Sequence, residues 1–185
     1  KSKEKKIGNI DLKVCNNCGC AYIYNVKPNF EKVYKAEYYD CWGIHDKKKE
    51  YTARKIKYAN FERILDLIDI QPGKSLLDIG CATGYLLDTA KKRGMKTYGI
   101  ELSKWAANKA SLQHHIFNGR IENYPKNLKF DYITMTDLFE HIPNPNNFLS
   151  DVKKKLKPAG KIVLTTPDYN SVSRRIMNKY WFQFK

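Results

Sequence analysis

The sequence lacks any run of about 18 apolar residues, and this absence argues against a membrane-spanning helix. Its first residues, Lys1-Ser2-Lys3-Glu4-Lys5-Lys6, are not followed by the apolar segment that a secretory signal contains. We therefore expect a cytoplasmic protein. Hydrophobic residues still make up 42% of the 185 positions, which is enough for one globular domain with a core of its own.

Acidic residues are scarce, since 19 Asp and Glu stand against 34 Lys and Arg, and the net charge is +15. The basic residues are spread along the chain and fall in or beside helix-like segments, as in Lys91-Lys92-Arg93 and Lys153-Lys154-Lys155. We interpret them as solvated helix faces. Attraction to nucleic acid or to another acidic partner stays open as the alternative.

The five cysteines are an odd number, which, together with the expected compartment, argues against a disulfide framework. The segment Cys15-Asn16-Asn17-Cys18 has the spacing of half a zinc knuckle, and Cys20 is a candidate third ligand. Structural zinc takes four ligands, and no clear second pair of cysteines follows. We therefore predict no metal site.

The chain divides at about residue 50 into an N-terminal extension (residues 1–50) and a main domain (residues 51–185). The extension contains the cysteine turn, a short predicted strand at residues 21–24, and an aromatic cluster of Tyr34, Tyr38, Tyr39 and Trp42. This cluster either covers a ligand pocket or docks the extension on the core.

The main domain alternates helical and strand patterns. A helix is predicted over residues 51–70, because Phe61, Ile64, Leu65 and Ile68 recur at helical spacing. Strands are predicted near residues 75–79, 96–101, 115–117, 130–135 and 161–166. The intervening helices cover residues 84–93, the segment after Ser103, and residues 148–156, which Pro158-Ala159-Gly160 ends; a last helix covers residues 173–181.

This alternation predicts an α/β fold, namely a doubly wound, Rossmann-like, mostly parallel sheet between two helix layers, with an N-terminal extension. In such a sheet a ligand binds outside the carboxyl ends of the strands. Four residues, Asp78, Gly80, Glu101 and Thr136, lie at or just after predicted strand ends. We expect them to converge at that edge.

One stretch, residues 75–87, passes from an apolar strand through an acidic residue and a small-residue loop into a helix. This is the pattern of a nucleotide-binding turn, in which glycines let the backbone approach a ligand. The next predicted strand ends on Glu101, whose carboxylate can accept both hydroxyl hydrogens of a ribose. Together, over residues 60–168, these features resemble the class I S-adenosylmethionine-dependent methyltransferases, and most closely their small-molecule branch.

The resemblance implies roles for the loop after the first strand of the main domain. The family pattern, acidic-x-Gly-x-Gly-x-Gly, falls here on Asp78, Gly80, Ala82 and Gly84. Ala82 replaces the middle glycine, which is tolerated if its φ is negative. The loop backbone, with Cys81 as a small residue rather than a nucleophile, would cradle the methionine portion and ribose of S-adenosylmethionine. Asp78 would hold the loop and the amino group of the cofactor.

The resemblance also assigns the remaining contacts. Glu101 would bind the ribose hydroxyls, and Leu102 would lie against the adenine. Arg120 stands where the family often has an acidic residue for the adenine amine, so the backbone of Arg120 or Ile121 is expected to make that contact.

After the fourth strand of the main domain, Thr136 and Asp137 would lie beside the sulfonium. His141 is the candidate general base, because a histidine pKa lies near neutrality, and the alternative is that it packs or caps the loop. His141 and Asp137 are thus the candidate catalytic residues.

The family sheet normally continues past the fifth strand with a helix and an antiparallel hairpin. This chain ends at Trp181-Phe182-Gln183-Phe184-Lys185. We therefore expect a fragment whose main domain lacks its last strands, so that its fourth or fifth strand lies near an exposed edge.

We predict a methyltransferase that acts on a small molecule such as a sugar, a lipid-linked intermediate or a secondary metabolite. One alternative is a nucleic-acid-directed methyltransferase or binding module, which the charge favours, although no Asn-Pro-Pro-Tyr-like segment follows the fourth strand. Others are an NAD-dependent oxidoreductase, against which the Gly-x-Ala-x-Gly spacing counts, and a binding protein without activity. The acceptor atom and the oligomeric state stay open.

Overall fold

The computed structural model describes residues 2–24 and 47–181 of the chain. These residues form two compact units, one from residues 2–24 and 166–181 and the other from residues 47–165. The predicted aromatic cluster of Tyr34, Tyr38, Tyr39 and Trp42 lies outside the described residues. The division between extension and main domain at residue 50 stays a prediction.

From residue 47 onward the helices and strands alternate as predicted, whereas the first two strands of the chain were not predicted. In chain order they are β1 (Ser2–Ile7), β2 (Ile10–Cys15), β3 (Ala21–Ile23), α1 (Lys47–Leu67), β4 (Ser75–Ile79), α2 (Tyr85–Lys92), β5 (Lys96–Glu101), α3 (Lys104–Ala110), β6 (His115–Asn118), β7 (Phe130–Thr136), α4 (Pro145–Lys154), β8 (Leu156–Thr165) and α5 (Val172–Met177). Single 3₁₀ turns cover residues 121–123, 139–141 and 178–180.

The larger unit is built on one five-stranded sheet with the order β6-β5-β4-β7-β8, in which every pairing is parallel. The chain runs outward from β4 through β5 to β6 and then returns to the other side of β4 with β7. The switch point therefore lies between β4 and β7, and the loops after these two strands flank it. The predicted doubly wound parallel sheet is confirmed.

Successive residues of β4 face opposite sides of the sheet and explain the two helix layers. Leu76 packs with Leu65 of α1 and Leu87 of α2, whereas Leu77 packs in a second cluster with Phe148 of α4. All five side chains are buried. Each face of the sheet thus has its own core.

Two helix boundaries follow the predicted signals. The Ser103 hydroxyl accepts the N–H of Ala106, so it caps α3. Gly94, at φ +79°, follows the end of α2 in the left-handed conformation typical of a helix terminus. None of the helices among the described residues is both long and apolar enough to cross a bilayer.

The start of β8 differs from the prediction. We expected Pro158-Ala159-Gly160 to form a turn before a strand at residues 161–166, but β8 begins at Leu156 and α4 ends at Lys154. Its pairing jumps from Phe130–Leu156 to Tyr132–Lys161, so residues 157–160 form a bulge within the strand. The chain therefore returns to β7 before the turn residues, and β8 forms one edge of the described sheet.

The smaller unit is a three-stranded antiparallel sheet of β1, β2 and β3, together with α5. The cysteine turn joins β2 to β3, and the N–H of Cys15 donates to the carbonyl of Cys20 at 2.8 Å. Backbone N–H groups of Cys18 and Asn17 donate to the Cys15 sulfur and lower its pKa. Across residues 2–24 and 47–181, no three or more Cys, His, Asp or Glu are arranged to hold a metal ion.

Candidate functional site

The loop between β4 and α2 adopts left-handed backbone at every second residue. The φ angles are +77° at Gly80, +49° at Ala82 and +90° at Gly84. The N–H groups of Gly80 and Cys81 both donate to the carbonyl of Ile100, at 2.8 and 3.2 Å, so the loop is tied to β5. We expected an alanine at position 82 to be tolerated if its φ is negative. That condition is not met, because the φ of Ala82 is positive.

A hydrogen bond that Ala82 donates to Glu101 accounts for this conformation of Ala82. A left-handed alanine costs about 1–2 kcal/mol. The N–H of Ala82 donates to Oε2 of Glu101 at 2.8 Å, and a hydrogen bond to a charged group contributes about 1.5–3 kcal/mol. The bond therefore offsets the backbone strain, and it forms across two adjacent strands.

The carboxylate of Glu101 joins three segments at the carboxyl end of β5. It is buried, and its second oxygen, Oε1, accepts the N–H of Ser103 at 2.7 Å. It thus links the loop, its own strand and the first turn of α3. We expected Asp78 to hold the loop, but the carboxylate that accepts a hydrogen bond from the loop is that of Glu101.

Asp78 is the residue before the last of β4, and only 2% of its surface is exposed. Its Oδ1 accepts the hydroxyl hydrogen of Thr134 at 2.8 Å from the neighbouring strand β7. Burial raises the pKa of Asp78 to about 7, the Thr134 bond lowers it in part, and the nearby charge of Glu101 raises it further. Asp78 is therefore a carboxyl group that titrates near neutrality.

Asn118, at the end of β6, is a contributor to this edge that the sequence analysis missed. Its side-chain amide donates to the carbonyls of Glu101 and Leu102, at 2.8 and 3.0 Å. The Leu102 side chain next to it is 42% exposed and offers an apolar surface. The Ile121 side chain is buried in the core, so Ile121 itself can face a ligand only with its backbone.

The loop after β7 carries the candidate catalytic residues. Thr136 is half-buried, whereas Asp137 and His141 are exposed. A Cβ placed on Gly80 would lie 3.2 Å from the Leu138 side chain, so Leu138 is the residue of this loop that covers the glycine loop. The N–H of His141 donates to the Leu138 carbonyl at 2.9 Å within the 3₁₀ turn. The loop after β7 therefore approaches the glycine loop through the side chain of Leu138.

The Cys81 side chain points away from the loop into the core that contains α1 and α2. A Cβ on Gly99 would lie 2.5 Å from its sulfur, so the strand residue beneath the thiol has to be glycine. Burial, followed by the charges of Asp78 and Glu101, raises the pKa of the thiol well above its ordinary value. Cys81 can therefore face a ligand only with its backbone.

The structure also contains a buried polar network that the sequence analysis did not find. The His114 ring lies between the Thr97 hydroxyl, at 2.8 Å from Nδ1, and Asp88 Oδ1, at 3.0 Å from Nε2. The Tyr58 hydroxyl donates to the other oxygen of Asp88 at 2.8 Å. Although burial raises the pKa of Asp88, the hydrogen bonds from His114 and Tyr58 outweigh it and lower that pKa. A Cβ on Gly84 would lie 3.1 Å from the His114 ring, so this network supports the end of the loop.

One hydroxyl in the loop lacks a hydrogen bond to any residue that the structure describes. It is Oγ1 of Thr83, which is buried. An orphaned buried hydroxyl costs free energy, and such groups are found where a ligand or a water completes the bonding.

Comparisons with known proteins agree with this arrangement. The family model that matches the chain is described as a methyltransferase domain and covers residues 49–185. A ubiquinone biosynthesis O-methyltransferase of Idiomarina loihiensis is 32% identical over 108 residues, which are 53% of this chain and 44% of that protein. The mitochondrial ubiquinone biosynthesis O-methyltransferase of Schizosaccharomyces pombe is 32% identical over 104 residues, 51% of this chain and 38% of that protein. The chain thus matches less than half the length of these relatives.

Solved structures share the fold. A SAM-dependent methyltransferase from Archaeoglobus fulgidus gives a TM-score of 0.57 at 23% identity and covers 66% of this chain and 57% of that chain. Coclaurine N-methyltransferase bound to N-methylheliamine and SAH gives 0.54 at 22% identity and covers 60% and 35%. These likenesses confirm the predicted fold class.

Proposed function

The chain belongs to the class I, S-adenosylmethionine-dependent methyltransferase family, and from that premise we propose that it binds S-adenosylmethionine at the loop of residues 80–84 and transfers a methyl group to a small-molecule acceptor. The observation that carries this proposal is the buried Glu101 carboxylate, which holds the glycine loop and the start of α3 at the carboxyl edge of the sheet. The comparisons do not favour the nucleic-acid or NAD-dependent alternatives.

The residues present fit the nucleoside part of this cofactor. The Glu101 carboxylate accepts the N–H groups of Ala82 and Ser103 at the carboxyl end of β5, and a carboxylate is the type of acceptor to which two ribose hydroxyls would donate. The exposed side chain of Leu102 offers an apolar surface to the adenine, and the turn at Ile121 offers backbone groups. The backbone, and not a side chain, would contact the cofactor at Gly80, Cys81, Ala82 and Gly84.

The methionine part would lie against the same loop. The Thr83 hydroxyl lacks a partner among the described residues and is suited to a polar end of the ligand. Asp78 titrates near neutrality, and a cationic group beside it favours its ionised form. These two residues support binding of a ligand that carries both an amino and a carboxylate group.

When bound, S-adenosylmethionine supplies a methyl group on a positively charged sulfur. The contribution of the chain is to orient that group and the acceptor in line, which can account for much of the rate. The curated relatives are named O-methyltransferases, which supports an acceptor hydroxyl. An acceptor hydroxyl has to lose a proton, and we assign His141, which is exposed on the loop after β7, as the base, with Thr136 and Asp137 at the sulfonium.

Calorimetric titration with S-adenosylhomocysteine tests the proposal, with NADH as the parallel ligand. We expect saturable binding of S-adenosylhomocysteine and no binding of NADH. Glu101→Ala should weaken binding on the order of 100-fold, because it removes the ribose acceptor and releases Ala82 from the loop.

The matched control is Glu62→Ala. Glu62 pairs with Arg93 between α1 and the end of α2 and should leave affinity unchanged. Thermal unfolding of both variants shows whether the fold is kept. Binding of NADH alone, or no binding by the wild-type chain, contradicts the proposal.

A further inference from the structure

The cysteine turn between β2 and β3 holds Cys15, Cys18 and Cys20 close together in the smaller unit. The N–H of Cys15 donates to the Cys20 carbonyl at 2.8 Å, and the N–H of Gly19 donates to the Cys15 carbonyl at 3.0 Å. Gly19 has a φ of +74°, a left-handed conformation that suits glycine. Two backbone hydrogen bonds therefore close the turn and fix the positions of its cysteines.

The Cys15 sulfur accepts hydrogen bonds from within this turn. The backbone N–H groups of Cys18 and Asn17 and the thiol of Cys18 donate to it and lower the pKa of Cys15, although burial opposes them. Hydrogen bonds to a sulfur that carries charge favour the thiolate, which is the nucleophilic form of cysteine. Cys15 is half-buried and Cys18 is exposed, so a small molecule in solution can reach the pair.

Cys20 has the opposite character. Its thiol donates to the Cys18 sulfur, and this bond, followed by the charge of Cys18, raises the pKa of Cys20. Cys20 therefore stays protonated at pH values at which Cys15 ionises. The thiol contacts run from Cys20 to Cys18 and from Cys18 to Cys15, so Cys18 is the thiol that touches the nucleophile.

These pairwise contacts suit thiol exchange better than they suit a metal ion. Structural zinc takes four ligands around one point, and residues 2–24 and 47–181 contain no group of three or more ligands arranged in that way. Exchange with a disulfide requires only a thiolate that attacks and a second thiol within its reach. Cys15 and Cys18 meet both requirements, because the sulfur atoms that would be joined are already in contact.

We propose that Cys15 and Cys18 form a redox-active dithiol that exchanges with low-molecular-weight disulfides. The Cys15 thiolate attacks one sulfur of the small disulfide, which gives a mixed disulfide and releases one small thiolate. Cys18 then loses its proton and attacks the Cys15 sulfur, so an intramolecular disulfide forms and the second small thiolate leaves. The dithiol is oxidised, the small disulfide is reduced, and the protons of Cys15 and Cys18 pass to the two leaving thiolates.

Incubation of the whole chain with glutathione disulfide, followed by acid quenching, alkylation, tryptic digestion and mass spectrometry, tests this proposal. The tryptic peptide of residues 14–32 contains the three cysteines of the turn and neither of the other two. We expect it to lose two hydrogens, to be alkylated only at Cys20, and to be restored by glutathione.

Two variants test the assigned roles. Cys18→Ser should stop the reaction at a glutathione adduct on Cys15, because the resolving thiol is absent. Cys15→Ser should slow the reaction of this peptide about tenfold or more, because it removes the sulfur that the two backbone N–H groups favour as a thiolate.

Cys20→Ser is the matched control, because the Cys20 thiol lies in the same turn and donates to Cys18 rather than to Cys15. It should form the Cys15–Cys18 disulfide within about twofold of the wild-type rate. Circular dichroism shows whether each variant keeps its fold. A wild-type peptide that does not react, a disulfide between Cys18 and Cys20, or an unchanged rate in Cys15→Ser overturns the inference. So do thiols that resist alkylation until a chelator removes zinc, which would identify a metal site instead.

Discussion

Two aspartates on neighbouring strands of the same sheet have opposite environments. Asp131, near the amino end of β7, accepts the N–H and hydroxyl of Ser75 at 2.9 and 2.7 Å and the ammonium of Lys157 at 2.8 Å. Asp78, near the carboxyl end of β4, accepts one hydroxyl bond, from Thr134. Burial raises both pKa values, but at Asp131 the bonds from Lys157 and Ser75 outweigh it and hold the pKa well below the usual range, whereas that of Asp78 rises to about 7.

The difference shows what each end of the sheet does. At the amino end the carboxylate joins β4, β7 and the bulge of β8, and its charge stabilises the fold. At the carboxyl end a carboxyl group is buried without a cation, which is unfavourable to the fold alone. Such conflicts between local chemistry and stability are concentrated at functional sites.

Asp78→Asn gives the largest expected effect. Between the ordinary aspartate pKa of about 3.9 and the folded value of about 7, the folded chain binds a proton that the unfolded chain has released. The contribution of Asp78 to the free energy of unfolding is therefore greatest below pH 4, falls as the pH rises from 4 to 7, and is constant above that. Asparagine resembles the protonated side chain, so the variant should be more stable than the wild type by about 4 kcal/mol at pH 8 and nearly equal to it at pH 4.

Urea unfolding of both proteins across this pH range provides the measurement, and the pH 4 comparison serves as the internal control. A destabilised Asp78→Asn variant at pH 8 would show that the ionised carboxylate is satisfied in the fold. The contrast between the two ends of the sheet would then be lost.

Asp131→Ala should have the next largest effect, with the opposite sign. The substitution leaves the N–H of Ser75 without its partner and releases Lys157, which should lower the free energy of unfolding by about 2–3 kcal/mol at pH 7. Because the pKa of Asp131 is depressed on folding, its contribution is present above pH 4 and is lost as the pH falls below that value. The difference between variant and wild type should therefore shrink in acid.

Asp151→Ala is the control for this measurement. Asp151 pairs with Lys154 three residues along α4, and such a surface pair contributes less than about 1 kcal/mol. Equal losses in the two variants would mean that Asp131 is an ordinary surface ion pair.

The sheet could be predicted because its signals are local. The bounds of β4 and β5 match the predicted ranges, since buried apolar runs and the turns between them specify both. Ser103 could be recognised as a cap from its residue type alone. The bulge in β8 could not be predicted, because no local pattern reports a contact such as that of Lys157 within it with Asp131, 26 residues away.

The sequence indicated the residues that we propose for the candidate site, but not the hydrogen bonds that they make. Residue types and strand ends indicated Asp78, Glu101 and Asp137, whereas their partners Thr134 and Thr165 come from strands distant in sequence. The register between strands decides which hydroxyl meets which carboxylate, and no local pattern reports it. The positive φ of Ala82 was not predicted for the same reason. The hydrogen bond that holds it is donated to Glu101, which lies on another strand.

The smallest expected effect compares two alanines at opposite ends of the sheet. Ala82 and Ala159 have similar left-handed backbone, with φ of +49° and +60°. Glycine relieves about 1–2 kcal/mol of strain at such a position and loses part of that gain through the entropy of the unfolded chain. Ala82→Gly and Ala159→Gly should therefore each stabilise the fold by about 0.5 kcal/mol in urea unfolding.

Only Ala82→Gly changes the glycine loop, so the two variants are compared in their affinity for S-adenosylhomocysteine. The backbone N–H of residue 82 remains available to Glu101, so Ala82→Gly should bind S-adenosylhomocysteine within about threefold of the wild type. Ala159→Gly lies in the β8 bulge at the other end and serves as its control. A large loss of affinity confined to Ala82→Gly would mean that the methyl group of Ala82, and not only its backbone, pre-organises the loop. Part of the specificity of this site would then come from the position at which the loop departs from the glycine pattern.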